Sequence, residues 1–216
     1  MTTSALDIKN QALSEVNSRT LISSESEVTP QAETTALWYD LVVDTVQAAA
    51  HFPSGRVQTA LAVVQDRSST SGLASGSAVP EFTYDYAWPE DCLQPWHLTT
   101  FAQFEVGYDL ELARKYIRTN EANATLVYAR RQNIVKFWQP NEKLAVIYGL
   151  AAHIAGPLTG KRSLKRDNIA MANQILMEAQ TSANNMPQQN MDFTPHRFQA
   201  AGYTVGTTTP KFIYPY

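Results

Sequence analysis

The sequence predicts an α+β fold, mainly α with a β-rich insertion: a helical bundle body, a β-hairpin and strand module, and an extended C-terminal arm. Three observations predict it. Apolar residues recur at three- and four-residue spacing over residues 4–17, 30–50 and 140–184, the period of helices that each bury one stripe. Residues 57–138 instead break into short β-branched and aromatic runs punctuated by Gly, Pro, Asn and Ser, as strands and turns do. From residue 185 the pattern lapses into a polar stretch and then rings scattered among Pro and Gly. The implied division is a helical body (1–56 and 139–184), an insertion (57–138) and an arm (185–216).

The first helix places Ala5, Ile8, Ala12, Leu13 and Val16 on one face, with Ser4 as cap and Asp7 at capping-box spacing. The second is announced by Thr29 as cap and Pro30 at the first helical position. Leu37, Leu41 and Val42 widen its stripe, which predicts burial on more than one side. His51-Phe52-Pro53-Ser54-Gly55 stops it. Residues 57–64 read as one strand, with Ala60 and Ala62 leaving a helical continuation open, and residues 67–77, almost without large side chains, as a connector or exposed loop. Phe82-Thr83-Tyr84-Asp85-Tyr86 alternates like a strand that turns away at Pro89, and residues 101–108 suit another. Residues 115–119 and 125–129 flank Asn120-Glu121-Ala122-Asn123 and read as a β-hairpin. Its outer positions carry Lys115, Arg118, Arg130 and Arg131.

Pro140 then starts a helix with Leu144, Ile147, Tyr148, Ala151, Ile154 and Ala155 in register. The turn Ala155-Gly156-Pro157-Leu158-Thr159-Gly160 predicts a break, a restart capped by Ser163, and an antiparallel partner striped by Leu164, Ile169, Ala172, Ile175, Leu176 and Ala179.

Composition narrows function. Hydrophobic residues are 44% and charged residues 17% of the 216, and no apolar run approaches the roughly 20 residues of a membrane span. Residues 1–7 lack the basic and apolar regions of a secretory leader, which predicts synthesis in the cytoplasm. The single cysteine, Cys92, excludes an internal disulfide and reads as a small hydrophobe. Net charge is −3, but residues 1–100 hold 12 Asp/Glu against 4 Lys/Arg, and residues 101–216 hold 8 against 13. That segregation suits subunits lying side by side, or an ordinary mixed surface once folded.

No catalytic, cofactor or metal site is legible. His51, His97, His153 and His196 lack ligand spacing, no serine lies in a nucleophile elbow, and Glu90-Asp91 are sequence neighbours rather than a flanking carboxylate pair. Gly156 to Lys161 resembles a phosphate loop only loosely, because it joins two helices. Two features point to partners instead. Lys161, Arg162, Lys165 and Arg166 crowd the start of the last helix, against the helix dipole, and suit either an acidic partner surface or a plain solvated helix start. Phe193, Phe198, Tyr203, Phe212, Tyr214 and Tyr216 stud the arm like anchors for pockets on another subunit, or for packing back onto their own domain.

The order of these elements resembles the tail tubular protein A family, the head-to-tail adaptors of short-tailed, podovirus-type bacteriophages. The resemblance is carried by Ile8-Lys9-Asn10-Gln11-Ala12-Leu13, by Tyr84-Asp85-Tyr86-Ala87-Trp88-Pro89-Glu90-Asp91-Cys92-Leu93, by Leu126-Val127-Tyr128, and by Leu150-Ala151-Ala152-His153-Ile154-Ala155-Gly156-Pro157-Leu158-Thr159-Gly160 with its following helix. It covers most of residues 5–184 and stops short of the arm. It implies a structural virion protein and no enzyme: a dodecameric ring of this chain between the portal protein and a tail nozzle like tail tubular protein B. Double-stranded DNA would pass through the lumen during genome ejection, without sequence-specific binding. The aromatic arm would then meet the portal, and the eight basic residues named above the nozzle or a neighbouring subunit. The alternatives are a virion-associated cell-wall or polysaccharide hydrolase, which would depend on Glu90 or Asp91, and a non-viral helical scaffold.

Overall fold

The computed structural model describes residues 4–18, 20–66, 82–109 and 113–185; the predicted connector and the aromatic arm lie outside them. Within one compact unit that ends at Asn184, the chain runs α1 (Ala5–Glu15), α2 (Pro30–Ala49), β1 (Arg56–Ala60), β2 (Val63–Asp66), β3 (Tyr84–Ala87), β4 (Cys92–Leu98), β5 (Phe104–Asp109), β6 (Arg114–Thr119), β7 (Thr125–Arg130), α3 (Pro140–Thr159) and α4 (Arg162–Asn185). The fold is α+β, with two antiparallel sheets ordered β1-β7-β4 and β2-β3-β6-β5.

The helix starts follow local chemistry. Ser4 and Asp7 close a reciprocal capping box on α1, and Thr29 Oγ1 accepts the Ala32 N–H ahead of α2. Asn10 in α1 pins the following loop by exchanging two hydrogen bonds with the Ile22 backbone (2.9 and 2.8 Å). The helices share a core built on Ile8, Leu13, Val43, Val46, Val146, Leu150 and Ile154, with α3 packed on α1 and α2. Leu37 and Leu41 do not join it: they remain 72% and 54% exposed. The α2 stripe is therefore narrower than expected, because α3 and the first sheet take only the side bearing Val42, Val43 and Val46.

The break expected at Ala155 is absent. Helix α3 runs through Gly156 and Pro157 to Thr159 and ends at Gly160, whose φ is +68°. Pro157 falls in the last turn, and the residue before it has no Cβ to collide with the proline ring. α4 accordingly begins at Arg162 and not behind a Ser163 cap. It runs back along the bundle as the turn requires, for Gln180 Nε2 donates to the Ala49 carbonyl at the C-terminus of α2. Yet it contributes only a narrow line, Asn168, Ala172, Ile175 and Ala179, while Ile169 of the expected stripe stays exposed. Most of the apolar surface of α3, Leu144 excepted, is covered by α1 and α2.

The predicted hairpin is also corrected. β6 and β7 form where expected but belong to different sheets, β6 between β3 and β5 and β7 between β1 and β4. Leu126, Val127, Tyr128 and Ala129 are all buried. Four consecutive apolar positions need cover on both faces, which a surface hairpin cannot give. The 120–124 link is instead a corner between sheets, held by Asn120 Oδ1 accepting from the Thr83 N–H and hydroxyl. Tyr86 completes it by donating to the Glu121 carbonyl (2.7 Å) and accepting from the Ala124 N–H. The single strand expected over 57–64 is likewise two, because Leu61 turns inward to the second core with Tyr86, Leu98, Ile117, Leu126 and Tyr128. β4, which the sequence reading did not anticipate, is an edge strand that accommodates Pro95 and whose register against β7 shifts twice.

Body and sheets meet at a buried carboxylate. Glu142, in the first turn of α3, has 0% exposure. It accepts from Gln47 Nε2 of α2 (2.9 Å), from the Ser54 hydroxyl (2.6 Å) and from the Gln139 N–H (3.2 Å). Gln47 then exchanges hydrogen bonds with the Gln132 backbone just beyond β7 (3.1 and 2.9 Å), and the Gln132 carbonyl also takes the Trp138 indole N–H (2.7 Å). Burial raises the carboxyl pKa above its ordinary 4.5, against the lowering hydrogen bonds from Ser54, Gln47 and Gln139.

Three outcomes follow for urea denaturation. Glu142→Ala leaves three donors without an acceptor and should cost about 3 kcal/mol. Glu142 binds its proton more tightly folded than unfolded, so its contribution is full below pH 4.5 and declines as pH rises through the higher folded value. The stability of wild type relative to Glu142→Gln should therefore fall between acid and neutral pH; a flat or rising difference would contradict the burial argument. Gly160→Ala should cost about 1 kcal/mol from its left-handed conformation alone, since a Cβ there meets nothing within 4 Å.

Candidate functional site

The eight basic residues singled out by sequence divide into two groups. Arg131 reaches from the end of β7 to Asp40 and Asp44 on α2, and its Nε donates to Asn133 Oδ1. Arg130 pairs with Asp91 at 3.7 Å, and Arg118 with Asp85 at 3.7 Å while lying over the Tyr116 ring. Lys115 sits over Trp88 and Tyr108. Each of these ion pairs joins a base from the second half of the chain to an acid from the first, so folding consumes much of the charge segregation within one molecule.

Lys161, Arg162, Lys165 and Arg166 are different: all four are exposed, and no ion pair or side-chain hydrogen bond joins them to another described residue. Their placement is local. Gly160 closes α3, the Thr159 hydroxyl donates to the Ala155 carbonyl (2.6 Å) and accepts the Lys161 N–H (3.2 Å), and α4 starts one residue later. The inward line from Asn168 to Ala179 leaves the first turn projecting outward. Beside it the His153 imidazole stacks on Trp38 (4.7 Å, 18°). Burial first, and then the charge of Lys165, lower the His153 pKa, so at neutral pH it adds no further cation. The turn therefore presents four exposed cations together.

Elsewhere several polar groups are already matched among the described residues. A pocket of about 240 Å³ lies among Lys9, Glu25, Tyr39, Asp40, Arg131 and Trp138. Its cations are spent on its own acids, Lys9 on Glu25 at 3.4 Å and Arg131 on Asp40. Burial pushes the Tyr39 phenol up to about 12, so it stays protonated. Asp91 accepts from the Tyr128 hydroxyl (2.7 Å), and Glu90 lies exposed in the turn beside it. Burial pushes the Cys92 thiol up to about 12, with Asp91 adding to the shift. Among the described residues no three His, Cys, Asp or Glu side chains gather to hold a metal ion, and no helix is long and apolar enough to cross a membrane.

Phe193, Phe198, Tyr203, Phe212, Tyr214 and Tyr216 lie outside the described residues. One cluster escaped the sequence reading: His97 stacks on Phe101 (4.8 Å, 6°), and His51 lies tilted against Trp96 (4.3 Å, 36°), around β4. Only the four-residue separation of His97 and Phe101 hinted at the first contact, and nothing in the sequence hinted at the second. No known family model matches the chain, and no curated protein matches it.

Positive charge at a helix N-terminus opposes the dipole. Lys161→Glu with Arg162→Glu should therefore raise stability by about 0.3–1 kcal/mol at low ionic strength, and the gain should shrink at high salt. Denaturation midpoints at the two salt concentrations check this; a loss of stability would mean that these side chains are engaged within the chain.

Proposed function

We propose that this chain is a structural virion protein, a head-to-tail adaptor of the tail tubular protein A type in a short-tailed bacteriophage. In this reading copies of the chain form a ring between the portal and the tail nozzle and line the channel through which DNA leaves. It is a connector and not an enzyme. The observation that carries the reading is a helical body with four cations unpaired among the described residues, to which a two-sheet module is fixed through Glu142, Gln47 and Gln132. A body of this kind can offer one face to a neighbour or nozzle and hold a second at a set angle.

The resemblance supports the same reading. Its four stretches fall on α1, on β3 and the crossing into β4, on the centre of β7, and on the end of α3, the places that set the path of the chain. The arm residues Phe193, Phe198, Tyr203, Phe212, Tyr214 and Tyr216 would meet the portal, and Lys161, Arg162, Lys165 and Arg166 an acidic patch on the nozzle or on the next subunit.

The test is the mass of the purified chain, alone and mixed with the portal encoded by the same genome, followed by negative-stain imaging. A ring, free or formed only on the portal, is the expected result. Removing residues 193–216 should abolish portal binding while leaving the helical circular dichroism intact. Charge reversal at the four cations should weaken ring closure or nozzle binding. A chain that stays small and ignores the portal would overturn the proposal.

A further inference from the structure

Around β4, three local penalties meet in one place. The strand is bulged between Cys92 and Gln94 and again between Pro95 and His97, and such bulges re-aim side chains at sheet edges. In the turn that follows, Phe101 has φ +55°, a conformation that is strained for any bulky side chain. Its ring is nonetheless 57% exposed and lies flat on His97. Between them, the Trp96 indole N–H is buried without an acceptor among the described residues, with the His51 ring against it. A segment shaped by packing alone would carry Gly or Asn at position 101 and a partner for the indole.

Arg56, exposed at the start of β1, lies on the same face of the sheet as His97, the two flanking Ala129 and Val127 of β7, and its charge acts on both His97 and His51. Burial together with Arg56 lowers both imidazole pKa values, and among the described residues no carboxylate acts on either ring. At neutral pH the patch is one guanidinium beside uncharged imidazoles and a protruding phenyl ring. Duplex nucleic acid asks for cations repeated along its backbone. A single arginine beside exposed and half-buried rings is instead the composition of a protein–protein hot spot.

We propose that Phe101, His97, His51 and Arg56 form a docking surface for an acidic segment of a partner protein, with Phe101 as the apolar anchor and Arg56 as the carboxylate ligand. The strain at Phe101 is then retained because binding uses the ring. This goes beyond the adaptor reading, and the surface would serve whether or not the chain belongs to a virion.

The experiment measures anisotropy of a dye-labelled peptide of alternating Glu and Leu with the full-length chain at low salt. A Gln–Leu peptide and a short DNA duplex serve as comparators. Wild type should bind the Glu–Leu peptide and prefer it to both. Phe101→Gly, whose new residue fits the backbone angle, should weaken binding by about tenfold while the urea midpoint stays level or rises. Arg56→Gln, at an exposed position, should weaken it comparably and flatten its salt dependence. The proposal is overturned if Phe101→Gly lowers the urea midpoint, since the ring is then structural, or if either variant binds as wild type does. Absence of Glu–Leu binding, equal binding of the Gln–Leu peptide, or preference for the duplex would overturn it equally.

Discussion

A buried carboxylate, held by hydrogen bonds and by no ion pair among the described residues, organises this protein. Glu142 would be costly to ionise in an apolar interior, and what makes the site tolerable is the three donors that converge on it from α2, from the turn after α2 and from the start of α3 itself. It also occupies the first turn of α3, where the helix dipole favours negative charge. Because Gln47 is shared between Glu142 and the Gln132 backbone, the same few atoms that cap α3 fix the exit of β7. Helical body and sheets are therefore tied by directional bonds, and their relative orientation is set more sharply than apolar packing alone would set it.

The path of the strands follows from that tie. β7 leaves the clamp buried on both faces, Leu126 and Tyr128 within the core shared with β3 and β6, Val127 and Ala129 on the opposite face. α2 packs against β4 and β7. A strand so enclosed has to lie in the middle of its sheet, so β1 and β4 flank it and the chain crosses repeatedly between sheets. Arg131, one residue past β7, adds its charge pairs with Asp40 and Asp44 on α2. Asp44 shows the balance of forces there: burial raises its pKa despite Arg131, which pulls the other way. These partly exposed pairs contribute little to stability individually, and their value lies in register.

Much of the fold was legible because it is written in local chemistry. Ser4 with Asp7, Thr29 with Pro30, and Pro140 announce helix starts within one turn of their own residues, and Gly160 announces an end. What was not legible depends on distant partners. The apolar run from Leu126 to Ala129 marks a buried strand but not which strands flank it. Leu37 and Leu41 continue a helical stripe perfectly well in sequence, yet whether they are covered depends on where α3 lies. The candidate site was half legible for the same reason. All eight basic residues could be read from the sequence, whereas pairing with Asp40, Asp44, Asp85 or Asp91 is a tertiary fact that removes three of them from the surface account. Phe101 was invisible as a site, since a positive φ at a phenylalanine follows no residue preference.

Each of the four stretches that carry the family resemblance contributes to the core: Ile8, Leu13, Tyr86, Leu126, Leu150 and Ile154 are each fully buried. A likeness held by such positions speaks to how a chain folds, and only through the fold to what it does. Function has to be sought where the sequence departs from what stability alone would choose. Cations against a helix dipole at residues 161–166 and a strained, exposed ring at Phe101 are two such departures. Both lie on the surface, and neither brings together an acid, a base and a nucleophile. In the proposed adaptor these are the places where stability would be given up for contact with a partner.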